Sequence, residues 1–153
     1  MFDHRLGADI GSSAGETCHF RPARFRRQQG QHGGQTCACL KRRYVHDDVY
    51  DAVGAHLTAA VQANLIGPIQ NATQFGKLSE MVEDAHGKVL TGGIPGAGPG
   101  FFYPLTLVLR PDTRCGWWTR NNSARPLPII RYSDIETVIA RANDSTMGLG
   151  ASV

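Results

Sequence analysis

The chain has 153 residues, enough for one domain, and its 41% hydrophobic and 19% charged content fits a soluble globular class and excludes a disordered polar chain. Apolar runs stay short, as at Leu105 to Leu109, far below the roughly 18 to 20 residues of a membrane-spanning helix, so no membrane partner is expected. Much of the formal net charge of +3 comes from one stretch, Arg21-Pro-Ala-Arg-Phe-Arg-Arg27. With a single interleaved phenylalanine and no nucleic-acid motif around it, that stretch reads as a solvated segment, and no nucleic-acid partner is expected.

Residues 1 to 32 are rich in Gly, Arg and Gln and show no sustained period, which predicts a poorly ordered segment. The opening residues Met1 to Gly7 lack the apolar core of a secretion signal, and Asp3 is foreign to an organelle transit peptide, so the expected location is cytoplasmic. After Gly33-Gly34 a turn leads through Cys37 into a strand around Arg42 to Val45. Asp47-Asp48 followed by Val49, Val53, Leu57 and Val61 has the spacing of an amphipathic helix beginning near Asp47.

A second helix is expected from about Asn71, with Phe75, Leu78, Val82 and Ala85 on one face and Gly87 as its C-cap. Lys88 to Thr91 reads as a strand. Gly92-Gly-Ile-Pro-Gly-Ala-Gly-Pro-Gly100 reads as a loop, because dense glycine and proline disfavour regular structure. Phe101 to Leu109 reads as a buried strand, and a further strand lies near Ile129. Ser133-Asp-Ile-Glu136 has the pattern of a capping box, followed by Ile135, Val138, Ile139 and Ala142 at helical spacing. Strands alternating with helices predict an α/β fold with a largely parallel sheet.

Four cysteines, Cys18, Cys37, Cys39 and Cys115, in a chain without a secretion signal point away from a disulfide framework and toward reactive or ligating roles. Cys37-Ala-Cys39 is a poor match to a C-x2-4-C zinc knuckle, and the six histidines are scattered without ligand spacing, so no metal is expected. Cys39 reads as small buried filler.

Gly34-Gln-Thr-Cys-Ala-Cys-Leu-Lys-Arg42 resembles the active-site segment of NAD(P)-dependent aldehyde dehydrogenases, with Cys37 at the nucleophile position. Asn64-Leu-Ile-Gly-Pro-Ile-Gln-Asn71 resembles the family's G-P-[LIV]-x-N turn. Three later segments also resemble it in the correct order: Gly87 to Gly93, Gly98 to Thr106, and Ile129 to Ala151. The resemblance implies an incomplete three-layer α/β/α catalytic domain over residues 33–153, and oxidation of an aldehyde to a carboxylic acid with NAD or NADP. In that chemistry the Cys37 thiolate forms a thiohemiacetal, hydride leaves to the nicotinamide, and the resulting thioester is hydrolysed. One oxyanion donor would be the backbone amide at Cys37. Family members are homo-oligomers.

Two departures temper the expected turnover. The 36 residues ahead of Cys37 hold no dinucleotide-binding unit and no glutamate at the general-base spacing, so little activity is expected from this chain by itself. Cys115-Gly-Trp-Trp-Thr-Arg-Asn-Asn-Ser-Ala-Arg125 stands where the family has a segment ending in E-x-F-G-P. A family-like M-R-V-V-D-E-E-Q-F-G-P, displaced by one base, encodes those eleven residues in order, and the single tryptophan codon constrains the match at Trp117-Trp118. Residues 110–125 are therefore expected to be translated out of frame, and a short deletion is expected between Gln62 and Ala63. Two readings from other classes stand beside this one. They are a noncatalytic fragment that associates with full-length relatives, tested by co-purification, and a small zinc- or nucleic-acid-binding module using Cys18, His19, Cys37, Cys39 and the arginine run, tested by metal content.

Overall fold

The computed structural model of the chain describes residues 8–10, 34–35, 39–62, 66–111 and 125–144. Cys37, Cys18, His19 and Cys115 lie outside them, as do residues 112–124 and the junction at residues 63–65.

Five strands form one sheet in the order β1-β2-β5-β4-β3. They are β1 (Ala8–Ile10), β2 (Arg42–His46), β3 (Lys88–Thr91), β4 (Thr106–Leu109) and β5 (Pro126–Tyr132). The pairs β1 with β2, β2 with β5 and β5 with β4 are parallel, and only β3 runs antiparallel, on β4. The largely parallel sheet expected from alternating elements is present. Strand β1 is an addition within the stretch expected to be poorly ordered. It is three residues long, too short for any alternation to register in the sequence.

Alternation along the strands assigns the two faces. Val45, Leu107, Leu127 and Ile129 point one way and meet Val53, Leu57 and Val61 of helix α1 (Tyr50–Gln62). Tyr44, Ile130 and Tyr132 point the other way and meet Val138 and Ala142 of α3 (Ile135–Asn143). Helix α2 (Ala72–Asp84) covers Val108 with Met81, and Ala85 just beyond its end joins them. Helices on both faces give three layers. Each fully buried Leu, Ile or Val in these clusters contributes roughly 1.5–3 kcal/mol relative to exposure.

The helix starts differ from expectation in instructive ways. Asp47–Val49 forms a 3-10 turn capped by the His46 side chain, which accepts from the Asp48 amide at 3.3 Å, and the α-helix proper opens at Tyr50. There the Tyr50 hydroxyl donates to the Ile129 carbonyl at 2.7 Å and accepts from the Arg110 amide at 3.2 Å. This ties the first turn of α1 to β5 and to the end of β4. Helix α2 begins where the spacing put it, with Asn71 accepting from the Gln74 amide.

The end of α2 is a correction. Ala85 is the C-cap, and the left-handed residue is His86, with φ of 47°. Gly87 is required for a different reason: a Cβ there would lie 2.5 Å from Val108 Cγ1 and 2.6 Å from the Leu109 carbonyl oxygen. In α3 the N-cap is Asp134 rather than Ser133, because the Asp134 carboxylate accepts from the Thr137 amide at 2.7 Å. Hydrogen bonds from the Thr137 side chain and then from its amide lower the pKa of the Asp134 carboxyl from its ordinary value.

The expected strand from Phe101 is also shorter than its apolar composition suggested. Only Thr106–Leu109 pairs in the sheet, whereas Phe101 and Phe102 are exposed. Pro104 has no amide to give a ladder, and the Phe101 carbonyl is taken by the Ile69 amide at 2.7 Å.

Candidate active site

The residues flanking Cys37 gather at the amino ends of the parallel strands. Cys39, Leu40 and Lys41 lead into β2, Tyr103 to Leu105 lead into β4, and Arg125 immediately precedes β5. The turn Ile66 to Gln70, between α1 and α2, meets Arg125 through the Gly67 carbonyl and packs Ile69 with Tyr103.

Gln35 makes the decisive local contacts. Its side-chain amide donates from Nε2 to the Pro68 carbonyl at 3.2 Å, and its Oε1 accepts from the Gln70 amide at 2.7 Å. Both polar ends of one side chain are thus spent on one turn, fixing the backbone two residues before Cys37. On the other side, Lys41 Nζ donates to the Gly34 carbonyl at 3.0 Å. Gly34 itself has φ of 76°, a left-handed conformation that suits glycine. The Gly34–Lys41 contact ties together the two described segments that flank Cys37 in the sequence. The Lys41 ammonium is thus engaged by a backbone carbonyl. Cys39 is buried, 3% exposed, in keeping with its reading as packing.

The turn is held from its far side by Arg125, only 1% exposed. Its guanidinium donates from one terminal nitrogen to the Tyr103 carbonyl and from the other to the Gly67 carbonyl. Burial pushes its pKa down to about 10, so the side chain keeps its charge at neutral pH. Beneath lies an apolar seat of Ile69, Leu78 and Tyr103, with the Phe75 ring edge-on to Tyr103 at 5.8 Å and tilted against Phe101 at 6.0 Å. The Tyr103 hydroxyl donates to the Gly93 carbonyl at 2.9 Å, joining the glycine loop to the same seat.

Neither Gln35 nor Arg125 was singled out by sequence pattern. Gln35 lay inside a motif valued for its cysteine, and Arg125 belonged to the stretch expected to be out of frame, at the position of the proline in E-x-F-G-P. The Gly67-Pro68 turn was recognised as a landmark, without a role.

Burial raises the pKa of Tyr44, Tyr50, Tyr103 and Tyr132 above the ordinary 10.0, and these are the chain's four tyrosines. A phenol with a raised folded pKa keeps its proton after the unfolded chain has lost it. Its stabilising share is complete below pH 10.0 and is lost as pH rises through the folded value. Tyrosinate absorbance is therefore expected to lag behind that of the denaturant-unfolded chain just above pH 10.0, then to rise together with loss of circular dichroism. A titration coincident with the unfolded chain would contradict the buried phenols.

A dinucleotide needs a cradle of backbone amides, usually a glycine turn between a strand and a helix N-terminus. The glycine-rich loop 92–100 follows β3 and runs into Phe101 to Leu105 and β4 rather than into a helix, and the N-terminus of α3 carries the Asp134 carboxylate. The described residues do not fit the pyrophosphate of NAD or NADP. No group of three or more metal-ligating side chains occurs among the described residues, and none of their helices is long and apolar enough to cross a membrane.

The family model described as "Aldehyde dehydrogenase family" matches residues 26–153. The chain belongs to the aldehyde dehydrogenase family. The match begins ahead of residue 33, where the catalytic domain was expected to start. Among curated aldehyde dehydrogenases, the glutarate-semialdehyde dehydrogenase of Pseudomonas putida is 36% identical over 135 residues, 79% of this chain and 28% of the relative. A succinate-semialdehyde dehydrogenase (NADP+) of Mycobacterium ulcerans is 33% identical over 135 residues, 80% of this chain and 30% of the relative. The chain thus spans less than a third of the length of these relatives.

Solved aldehyde dehydrogenase structures share the fold. The succinate-semialdehyde dehydrogenase of Burkholderia pseudomallei superposes with a TM-score of 0.86 at 23% identity, over 97% of this chain and 33% of that one. A 3,6-anhydro-L-galactose dehydrogenase in complex with NAP superposes with a TM-score of 0.82 at 27% identity, over 96% of this chain and 34% of that one. The three-layer α/β architecture with its mostly parallel sheet is that of an aldehyde dehydrogenase.

Proposed function

We propose that this chain carries the nucleophile-bearing part of an NAD(P)-dependent aldehyde dehydrogenase, with Cys37 as the attacking thiol. The observation that supports this most is the double hydrogen bond of Gln35 to the 68–70 turn, which fixes the backbone leading to Cys37 as a nucleophile loop requires. The thiolate adds to the aldehyde carbonyl carbon. A carbon–sulfur bond forms, the carbonyl π pair moves to oxygen, and the family resemblance gives the backbone amide at Cys37 the role of oxyanion donor. The family's chemistry then passes a hydride to NAD or NADP. The described residues hold no cradle for that group, so the chemistry assigned to this part of the chain ends at the thiohemiacetal.

Relatives named as glutarate- and succinate-semialdehyde dehydrogenases make a semialdehyde, an aldehyde bearing a second carboxylate, the substrate class this reading favours. Iodoacetamide labelling of Cys37, followed by peptide mass, tests the assignment. A short semialdehyde is expected to slow labelling of Cys37 more than that of glutathione in the same mixture, and the matching dicarboxylate is expected to have no effect. Equal protection of Cys37 and glutathione would contradict it.

A further inference from the structure

Arg125 occupies a place in the fold that its sequence context does not explain. It stands at the position of a proline in E-x-F-G-P, yet it is among the largest buried side chains of the described residues. A guanidinium is costly to bury unless its donors are satisfied, and here two terminal nitrogens reach two backbone carbonyls on different segments. One belongs to Gly67, at the start of the turn, and the other to Tyr103, ahead of β4. The backbone joins Gly67 directly to Pro68 and, through Ile69, to Gln70. The Pro68 carbonyl and the Gln70 amide are the two partners of Gln35. Ile69 is itself pinned by its amide to the Phe101 carbonyl at 2.7 Å.

We propose that Arg125 is a positioning residue for Cys37: its guanidinium holds the Gly67 and Tyr103 carbonyls together, and through the 67–70 turn it fixes the Gln35 amide two residues before the thiol. The inference rests on the assignment of Cys37 as nucleophile. Covalent geometry makes the last link short, since two residues of chain span at most about 7 Å. A proline at this position has no side-chain donor, so it cannot supply this staple. The staple is a feature of this chain's own residue.

The test is the pH dependence of iodoacetamide alkylation at Cys37 in the full chain, read by peptide mass, for wild type, Arg125→Met, Arg125→Lys, Gln35→Met and the Arg125→Met/Gln35→Met double variant. Circular dichroism and thermal transitions report whether each variant is folded. In wild type the alkylation midpoint is expected below the value of about 8.5 for an ordinary thiol. Arg125→Met is expected to move it toward that value and to slow alkylation at neutral pH about tenfold. Arg125→Lys, which keeps a cation and can reach one carbonyl, is expected to lie between and remains informative if the methionine variant does not fold.

Because Arg125 acts through Gln35, the double variant is expected to be no worse than the stronger single one. An unchanged profile in folded Arg125→Met or Arg125→Lys, or additive effects in the double variant, would overturn the inference while leaving the Cys37 assignment intact. A wild-type Cys37 that titrates as an ordinary thiol would overturn the assignment itself, and this inference with it.

Discussion

Replacing Gly92 by alanine is expected to lower stability by about 3–5 kcal/mol, from backbone strain and overpacking together. Gly92 has φ of 77°, in the left-handed region, and an added Cβ would lie 2.4 Å from the Leu105 carbonyl oxygen and 2.6 Å from Thr106 Oγ1. The first of these is backbone at the entry to β4 and cannot swing aside. The second is engaged, since Thr106 Oγ1 accepts from the Gly93 amide at 2.9 Å and donates to the Pro104 carbonyl at 3.0 Å. Relief would have to come from moving β3 away from β4, which opens the β3–β4 edge. Gly96→Ala is the control, because nothing lies within 4 Å of a Cβ there. Denaturant midpoints measure the difference, with Gly92→Ala well below wild type and Gly96→Ala close to it at unchanged slope. Equal midpoints for the two variants would contradict the close approach at Gly92.

The parts of the fold that could be read from the sequence are those with a clean period. The four-residue spacing of Val53, Leu57 and Val61 gave α1 its buried face. Lys88 to Thr91 paired as expected, and Asn71 opened α2. Features set by distant partners could not be read in this way. The Phe101 to Leu105 stretch has the composition of a strand, but its backbone is bound by Ile69 across the fold. Asp134 and Ser133 are both good caps, and only the observed backbone decides between them.

The site follows the same rule. Gln35 and its partners are 33 and 35 residues apart in sequence, and Arg125 lies 58 residues from Gly67. No local pattern encodes such contacts, although both motifs that meet at the turn, Gly34 to Cys37 and Gly67 to Asn71, were visible as landmarks. The expected out-of-frame stretch ends on Arg125, which the fold uses as a buried staple.

The second large effect concerns the thiol. An activated aryl ester presents a carbonyl that Cys37 can attack without any cofactor. The carbon–sulfur bond forms, the aryl oxygen leaves as a phenolate, and an acyl thioester remains on the chain. Cys37→Ser is expected to reduce this acylation on the order of a hundredfold or more, because a serine hydroxyl is a far weaker nucleophile than a thiolate unless a base activates it. Cys39 cannot substitute readily, being buried.

The measurement that bears most directly on the nucleophile assignment is therefore the peptide mass of folded wild-type chain after brief exposure to p-nitrophenyl acetate at neutral pH. A single acetyl group on the Cys37 peptide, absent from Cys37→Ser, is the predicted result. Acetylation that falls on Cys39, Cys115 or lysines, or that persists undiminished in Cys37→Ser, would contradict Cys37 as the nucleophile.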